Sequence, residues 1–456
     1  MNKVNVWRPD LAGYSGPKYQ AIADALADAV TRGELKAGDR LPAQRELAKL
    51  LGFDLTTVTR AYDCARQRGL IVARGSAGSF VREVAKATIA AAQQIDTGMN
   101  TPPIPTGGEL QRAISDALQA VISSDDVSDL SYQNVGGSFH ARRSGAMLLS
   151  RLGLDTEPEQ VVITAGGQNA LHAVMAALVS KGDRIACGLF VYPGFRAIAQ
   201  RMGVELVPLP KMTGDDLRNA CRERKITALY LVPTNDNPTT STIEVGEREQ
   251  IARAAQDEGV KIIEDDAYGL LPLKPLRPVS SFAPELSWYV LSISKVISPA
   301  LRIAFVRAPG VGQALQLAAD VHETAVMAPP LNAAIVAHWL QDQTFDRIIA
   351  ATRTEANWRM QLAKSELKDA TFQYHHDGYH LWLQLHGGVN ANELSHSLAL
   401  AGVGSIPSNR FAISPTSEQA LRVSLGGAAD QESLANALRM LAGHLSISLE
   451  RWAALV

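Results

Sequence analysis

The sequence is poor in the features that mark secreted, metal-stapled and membrane-embedded proteins. Among 456 residues there are 3 cysteines, Cys64, Cys187 and Cys221, which are odd in number and far apart. This spacing argues against a disulfide framework or a zinc site and fits a reducing cytoplasm. No apolar run reaches the roughly 18 residues of a membrane span, and MNKVNVWRPD lacks the basic-then-apolar order of a signal peptide. We therefore expect a cytoplasmic protein with no membrane or metal partner.

The chain also lacks a strong excess of either charge, since its formal net charge is −2. Residues 15–85 nevertheless hold 11 Lys/Arg against 8 Asp/Glu, whereas the remainder holds 33 against 38. A mildly basic first segment on an acidic remainder is compatible with nucleic-acid binding by that segment, although many neutral domains vary this much. The length predicts two or three domains.

The first 85 residues predict three helices and a β-hairpin. PKYQAIADALADAVT places Ile22, Leu26 and Val30 on one helical face, and AQRELAKLL forms a second, short helix. LTTVTRAYDCARQRG is the third helix, with Asp54 as its N-cap. LIVAR, GSAG and SFVRE then predict strand, tight turn and strand. This order is that of a winged helix-turn-helix, mainly α with a β wing.

The third helix carries the candidate DNA contacts. In a helix-turn-helix the first residues of the second helix of the pair meet base edges in the major groove. Here they offer hydroxyls and a guanidinium to bases or phosphates: Thr56, Thr57, Thr59 and Arg60. Arg45 opens the preceding helix, where it can meet phosphate, and Arg74 lies at the wing, where it can reach phosphates or a minor groove. The alternative on spacing alone is a solvated face of a generic helical subdomain.

The order of these motifs is more specific than their spacing. GELKAGDRLPAQRELAKLLGFDLTTVTRAYDCARQRGLI, followed by GSAGSFV, resembles the GntR-type winged helix-turn-helix domain over residues 17–82. The resemblance implies binding to double-stranded operator DNA. It departs at Asp54-Leu55, where the family usually has Ser-Arg, so direct base readout there is in doubt.

After residue 83 the composition changes. MNTPPIPTGG, with three prolines and two glycines, predicts an extended linker, although such segments also occur as ordered loops that line a binding site. We assign residues 1–83 to the DNA-binding domain, 84–108 to the linker and 109–456 to a second domain. Within it we expect a large part at about 150–340 and a small part at about 341–456.

The second domain shows the alternation of an α/β fold. Short apolar runs lie at 161–164, 184–188, 204–208, 228–232, 261–264, 288–292 and 303–306, and helical patterns separate most of the earlier ones. This predicts a mostly parallel, doubly wound sheet flanked by helices. Long helical patterns at 343–367 and 430–452 surround the strand candidates YHLWLQL and LRVSL, which predicts a smaller α+β part.

Reactive and anion-binding residue types follow several of these strands. Lys295 follows an apolar strand, with Ser292, Ser294 and Arg302 beside it as a phosphate grip. Asp265 ends another strand and Tyr268 follows it. A strand, a Gly-rich turn and a helix place the backbone of Gly166, Gly167 and Gln168 toward an anion. Taken singly, these are also explained by a surface lysine, a solvated strand end and a common Gly-Gly turn.

Three more residues complete a constellation of the kind that pyridoxal phosphate (PLP) requires. Asn237 can meet the phenolic oxygen of the cofactor, Tyr192 can stack on its ring and Arg422 can clamp an amino acid's carboxylate. A core tyrosine and a structural salt bridge are the alternatives for Tyr192 and Arg422.

In chain order the motifs are Gly-Gly-Gln, Tyr-Pro-Gly, Asn-Pro-Thr, Asp-x-x-Tyr, Ser-x-Ser-Lys with a later Arg, and a final Arg. From about residue 95 to the end the chain thus resembles the fold-type I aminotransferases. The resemblance implies Lys295 as the aldimine lysine, Asp265 at the ring nitrogen, and Tyr268 and Asn237 at the ring oxygen. The implied phosphate ligands are Gly166, Gly167, Gln168, Ser292, Ser294 and Arg302, with Tyr192 on the ring, Arg422 on a ligand carboxylate and Tyr132 reaching a neighbouring subunit's phosphate.

Three departures from that family lie away from the groups that bond PLP. Thr240 and Ala300 stand where glycine is usual, and SFHARRS replaces a more usual Pro-Leu-Arg segment. We expect cofactor binding to survive them.

The two halves together resemble the MocR subfamily of GntR-type regulators. The resemblance implies a homodimer whose aminotransferase-like domain senses an amino acid or amine, or PLP itself, and whose DNA-binding domains act on promoters. A working transaminase that also binds DNA is the second interpretation. An aminotransferase that uses its first domain only for oligomerisation is a third.

Overall fold

The computed structural model describes residues 7–11, 14, 17–31, 34–36, 38–67, 70–73, 78–81, 100–124, 131–427 and 430–453. Contacts within the chain divide it into two compact units, residues 1–93 and 94–456. Arg74, predicted at the wing, lies outside the described residues.

The first unit has the predicted winged helix-turn-helix order. Helices α1 (Lys18–Thr31), α2 (Gln44–Leu51) and α3 (Leu55–Gln67) precede strands β1 (Ile71–Ala73) and β2 (Ser79–Val81). The two strands pair antiparallel. The apolar faces of the three helices and the hairpin meet in one core around Ile22, Leu26, Leu47, Val58 and Tyr62. The face of α1 that was predicted from the spacing of Ile22, Leu26 and Val30 therefore packs into this core.

The predicted N-cap of α3 is present. The Thr57 backbone N–H donates to Asp54 Oδ1 at 2.8 Å, and the hydroxyls of Thr56 and Thr57 donate to the same carboxylate. These bonds, that of Thr56 first, lower the pKa of Asp54 to about 2, so the cap stays ionised at neutral pH. Asp54 thus has a structural role in the turn between α2 and α3.

The second unit is built on a seven-stranded sheet. Its strands are β3 (Val161–Thr164), β4 (Arg184–Cys187), β5 (Glu205–Pro208), β6 (Ala228–Leu231), β7 (Lys261–Asp265), β8 (Ser287–Ser292) and β9 (Ala304–Arg307). They lie in the order β3-β9-β8-β7-β6-β4-β5. All neighbours are parallel except those of β9, which runs antiparallel to β3 and β8. The prediction of a mostly parallel sheet is confirmed.

Helices cover this sheet and continue into the small part. They are α4 (Glu109–Ile122), α5 (Phe139–Arg151), α6 (Gly167–Leu178), α7 (Pro193–Met202), α8 (Gly214–Glu223), α9 (Val245–Glu258), α10 (Val311–Ala325), α11 (Pro330–Gln341), α12 (Thr344–Glu366), α13 (Ala391–Leu400) and α14 (Gln431–Ala453). Within the part of the chain that the structure describes, no helix is long and apolar enough to cross a membrane.

The small part contains a second sheet of four antiparallel strands. These are β10 (Phe372–Tyr374), β11 (His380–Gln384), β12 (Ile406–Pro407) and β13 (Ala420–Ser424), in the order β10-β11-β13-β12. In β11 and β13, His380 lies opposite Ser424 and Trp382 opposite Arg422. Both YHLWLQL and LRVSL therefore form the strands predicted for them.

The parallel strands determine where the candidate site lies. The carboxyl ends of β6, β7 and β8 meet at one edge of the sheet, as parallel neighbours must. Asp265 is the last residue of β7, and the segments that follow β6 and β8 hold Asn237 and Lys295. A buried sheet thus brings together residues that are far apart in sequence.

Candidate active site

Lys295 lies in a short turn of 3₁₀ helix, Ile293–Lys295, directly after β8. Its Nζ donates a hydrogen bond to the carbonyl oxygen of Asn100 at 2.7 Å, and its own carbonyl accepts from the Tyr379 hydroxyl at 2.8 Å. Burial, together with the positive charges of Arg422 and Arg302, lowers the pKa of Lys295 to about 8, and Asp265 opposes this. The amine therefore has an appreciable neutral, nucleophilic fraction near pH 7.

Asp265 is the last residue of β7 and is buried. Its Oδ2 accepts from the Tyr230 hydroxyl at 3.0 Å, and the Tyr230 ring stacks on Phe195 at 3.6 Å between centroids. Burial raises the pKa of Asp265 to about 7, against the opposing hydrogen bond from Tyr230. A cationic partner stabilises the ionised form of such a buried acid, and a protonated pyridine nitrogen would be a partner of this kind.

One side of the site is formed jointly by the large and small parts, with Tyr268 and Asn237 from the large part and Arg422 from the small part. Arg422, on β13, is only 3% exposed, and its Nη1 donates to Asn237 Oδ1 at 3.4 Å. The Tyr268 hydroxyl accepts from the side-chain amide of Asn100, and burial raises the Tyr268 pKa above its ordinary value. The Tyr268 hydroxyl therefore keeps its proton, and it and the Arg422 guanidinium present hydrogen-bond donors to the site.

A tight cup adjoins Lys295 at the start of α6. Arg302 Nη2 donates to the carbonyl oxygen of Ala165 at 2.9 Å. Gly166 has φ +83°, and a Cβ there would lie 2.6 Å from Arg302 Nη2. A Cβ on Gly167 would lie 3.3 Å from that of Ser292. The absence of both side chains keeps the backbone open to an anion at a helix N-terminus.

Two further features of the cup fit a phosphate group. The buried Oγ of Ser294 has no hydrogen-bond partner among the residues that the structure describes. Arg302 has φ 51°, a left-handed conformation that costs a non-glycine residue about 1–2 kcal/mol. Backbone strain of this kind persists where surrounding structure imposes it and is typical of functional sites. The residues present therefore fit the phosphate of PLP.

Tyr192 and Gln168 close the side of the site next to α7. Gln168 Nε2 donates to the carbonyl oxygen of Gly194 at 3.1 Å. A Cβ on Gly194 would lie 2.4 Å from both Gln168 Oε1 and the Tyr192 ring, so only glycine allows this packing. Burial and then Asp265 raise the pKa of Tyr192, whereas Arg302 and Arg422 lower it. The charges that act on Tyr192 are thus those of the candidate site.

Tyr132 lies elsewhere: its side chain is 85% exposed, so the chain does not bury it in its own site. Its assignment to a neighbouring subunit's phosphate stays a prediction. Thr240, which stands where glycine is usual, has φ 63°. Because glycine adopts that conformation freely, the family preference has a backbone origin.

Sequence reasoning missed several residues of the site. Asn100 was assigned to the linker, and His380 and Tyr230 lie inside apolar strands. His380 Nε2 lies 3.1 Å from the carbonyl oxygen of Asp236, and its pKa falls to about 3 because of burial and then the Arg422 charge. A polar residue within an otherwise apolar strand was the available signal for His380 and Tyr230, since such a residue needs a buried partner.

In the first unit, the candidate DNA contacts differ in how freely they are presented. Arg45 and Arg60 are exposed, and the Arg60 guanidinium lies 4.9 Å from the centroid of the Tyr19 ring. The Thr59 hydroxyl donates to Gln44 Oε1 at 3.0 Å, while those of Thr56 and Thr57 donate to Asp54. These hydroxyls remain acceptors, but binding a phosphate oxygen would require them to leave their present partners.

Comparisons with known proteins agree with this architecture. Residues 92–441 match the family model "Aminotransferase class I and II", and residues 18–81 match "Bacterial regulatory proteins, gntR family". The chain is 29% identical to the uncharacterized HTH-type transcriptional regulator YdeF of Bacillus subtilis, across 95% of this chain and 96% of that protein. It is 26% identical to the HTH-type pyridoxine biosynthesis transcriptional regulator PdxR of Corynebacterium glutamicum, across 63% and 65%.

Among solved structures, the α-aminoadipate aminotransferase LysN of Thermus thermophilus aligns with a TM-score of 0.69 at 23% identity. The alignment covers 82% of this chain and 96% of LysN. At this identity the likeness shows the fold, which is that of a PLP-dependent aminotransferase.

Proposed function

Because the chain belongs to the class I and II aminotransferase family and joins that fold to a GntR-family domain, we propose that it is a PLP-dependent transcriptional regulator of MocR type. Its second unit binds PLP and an amino-acid or amine ligand, and its first unit binds operator DNA. The observation that carries the proposal is the half-buried Lys295, whose pKa responds to the charges of Asp265 and Arg302, together with the cup formed by Gly166 and Arg302. This chemistry is joined in one chain to a winged helix-turn-helix.

Each residue of the site is assigned to one part of the cofactor. PLP supplies an aldehyde that condenses with amines and a ring that withdraws electrons. Lys295 would be the attachment point, Asp265 would hold a proton at the ring nitrogen, and Tyr268 and Asn237 would donate to the ring oxygen. Tyr192 would cover one ring face, and the phosphate would be held by Gly166, Gly167, Gln168, Ser292, Ser294 and Arg302.

Arg422 defines the ligand class. A buried guanidinium on a rigid strand presents paired N–H donors, which match the two oxygens of a carboxylate. The preferred ligand therefore carries both an amine, for exchange with Lys295, and a carboxylate. The name of the PdxR relative favours a second signal, PLP itself, with DNA binding responding to cofactor occupancy.

Regulation by linkage requires that the ligand bind two conformations of the protein with different affinities. We propose a homodimer, so that two DNA-binding domains engage two half-sites and gain from paired weak binding. Tyr132, exposed on its own chain, would then reach the phosphate of the neighbouring subunit.

The test of the proposed function is a Lys295→Ala variant compared with a Lys274→Ala control in the full-length protein. We expect Lys295→Ala to lose the visible absorbance band of PLP bound to protein and to lose any response of DNA binding to PLP or amines. Lys274 is exposed and outside the site, so its variant keeps both properties. A Lys295→Ala variant that keeps the band contradicts the assignment.

The second candidate function is amino-group transfer, which the nucleophilic Lys295 and buried Asp265 favour. Repeated turnover distinguishes it. An enzyme converts amino acid to keto acid at a steady rate with a second keto acid present, whereas a regulator reaches a stable complex.

A further inference from the structure

Asn100 connects three groups that belong to different segments of the second unit. Its carbonyl oxygen accepts from Lys295 Nζ at 2.7 Å, and its side-chain amide donates to the Tyr268 hydroxyl. The same amide nitrogen lies 3.3 Å from Nδ1 of His380 on β11. With 4% of its surface exposed, Asn100 therefore contacts the candidate lysine, the ring-oxygen tyrosine and the small part together.

These contacts hold Asn100, and with it residues 100–105, in place. Asn100 Oδ1 is buried and has no hydrogen-bond partner among the described residues. A buried acceptor without a partner costs about 1–3 kcal/mol, so the bonds to Lys295 and Tyr268 must offset that loss. The Lys295 amine is thus one of the groups that hold Asn100 in place.

The chain on either side of Asn100 is suited to transmit a shift. On the following side, Thr101 passes so close to Gly426 that a Cβ there would lie 1.7 Å from the Thr101 carbonyl oxygen. Pro102, Pro103 and Pro105 are buried, and proline-rich chain is semi-rigid. On the preceding side, the chain leads back to the first unit, which ends at residue 93.

We propose that Asn100 is the positioning residue that couples the state of Lys295 to the segment joining the two units. This inference rests on the proposed function. When Lys295 is bound to the cofactor, or is released from it by an amine, the hydrogen bond that the Asn100 carbonyl accepts changes. Residues 100–105 then pack differently against Gly426. The signal then passes through chain connectivity.

The first experiment measures hydrogen exchange of residues 100–110 in the full-length protein, with and without PLP. In wild type we expect PLP to change exchange at the amides of Thr101, Ile104 and Thr106 by at least several-fold. Asn100→Ala keeps the backbone carbonyl but loses the amide contacts that hold Asn100 to Tyr268 and His380. We expect its PLP band to remain and its exchange response to disappear, because a residue that is no longer held on the Tyr268 and His380 side does not transmit a change at Lys295. A response equal to that of wild type overturns the proposal.

A matched control separates coupling from lost stability. Asn390 caps α13 through bonds to the backbone of Asn392 and Glu393, far from Lys295 in the chain. Asn390→Ala loses a cap worth about 1 kcal/mol and should keep the wild-type exchange response. If Asn100→Ala does not fold, Asn100→Asp keeps the size, removes the donor to Tyr268 and serves the same purpose.

The second readout is affinity for a duplex that the full-length protein selects from a random pool. We expect PLP to change the wild-type dissociation constant by about 10-fold or more, equal to about 1.4 kcal/mol, and that of Asn100→Ala by less than about two-fold. If wild type shows no change, the proposed function fails, while the exchange experiment still decides the role of Asn100. If both proteins respond equally, the coupling role fails alone.

Discussion

Replacing Gly166 by alanine tests the phosphate cup. Gly166 has φ +83°, and the new Cβ would lie 2.6 Å from Arg302 Nη2 and 3.1 Å from Nη1. With ψ 170° this backbone lies in a region that is essentially restricted to glycine, and it costs alanine about 1–3 kcal/mol of stability. In addition, the guanidinium must move away from the phosphate, and one charge-assisted hydrogen bond is worth about 1.5–3 kcal/mol. We therefore expect PLP to bind about 10- to 100-fold more weakly.

Gly182 provides the matched control, because it has φ +91° and nothing within 4 Å of its hypothetical Cβ. Gly182→Ala should also lose stability, because of its positive φ, and should bind PLP as wild type does. The assay is PLP titration followed by visible absorbance, with thermal melts of the cofactor-free proteins. Wild-type PLP affinity in Gly166→Ala, or an equal loss of affinity in Gly182→Ala, would refute the reasoning.

Three further predictions concern other groups. Arg60→Ala should weaken DNA binding and lower the slope of log affinity against log salt concentration by about 1, without affecting PLP binding. Arg66→Ala, on the last turn of α3, should change DNA binding little. Equal effects of the two substitutions would contradict the placement of the start of α3 in the DNA groove. Arg422→Lys keeps the charge but loses the paired donors, so amino acids should bind about 10-fold more weakly while amines without a carboxylate are unaffected; a uniform loss would contradict the clamp. In the cofactor-free protein, Asp265→Asn should become more stable relative to wild type as pH rises from about 4 to about 7, and the difference should then level off.

The stability of the Asp265 protein depends on pH because burial raises the pKa of this carboxyl from 3.8 to about 7. The folded protein holds a proton that the unfolded chain releases, so the stabilisation is complete below about pH 4 and is lost by about pH 7. Asparagine has no proton to lose. The maximum difference is about 4 kcal/mol, and a melting-temperature difference independent of pH would contradict a buried, protonated Asp265.

The sequence predicted those parts of the fold that depend on local pattern. The strands β3 to β9 fall on the seven apolar runs because strands buried on both faces need continuous apolar residues. Glycine and lysine motifs located Gly166 and Lys295 because phosphate binding and covalent attachment demand particular residue types.

Contacts between distant segments could not be predicted in this way. Asn100 was assigned to the linker because its prolines indicate extended chain, and no local pattern reveals that it lies against Lys295, 195 residues later. His380 was hidden for the same reason, since its partners Asn100 and Asp236 come from other segments. The three threonines of α3 were predicted as DNA contacts, and the structure shows in addition that their hydroxyls donate to Asp54 and Gln44. Their role in DNA binding stays a prediction.

The most direct test of the central claim measures ligand exchange and DNA affinity in the same sample. PLP-loaded protein is titrated with a panel of amino acids and amines while its visible spectrum and its affinity for a pool-selected duplex are recorded. A regulator predicts that one compound produces a stable new spectrum and changes DNA affinity over the same concentration range. Bleaching that a keto acid reverses over repeated cycles, with DNA affinity unchanged throughout, would contradict the account and identify an enzyme.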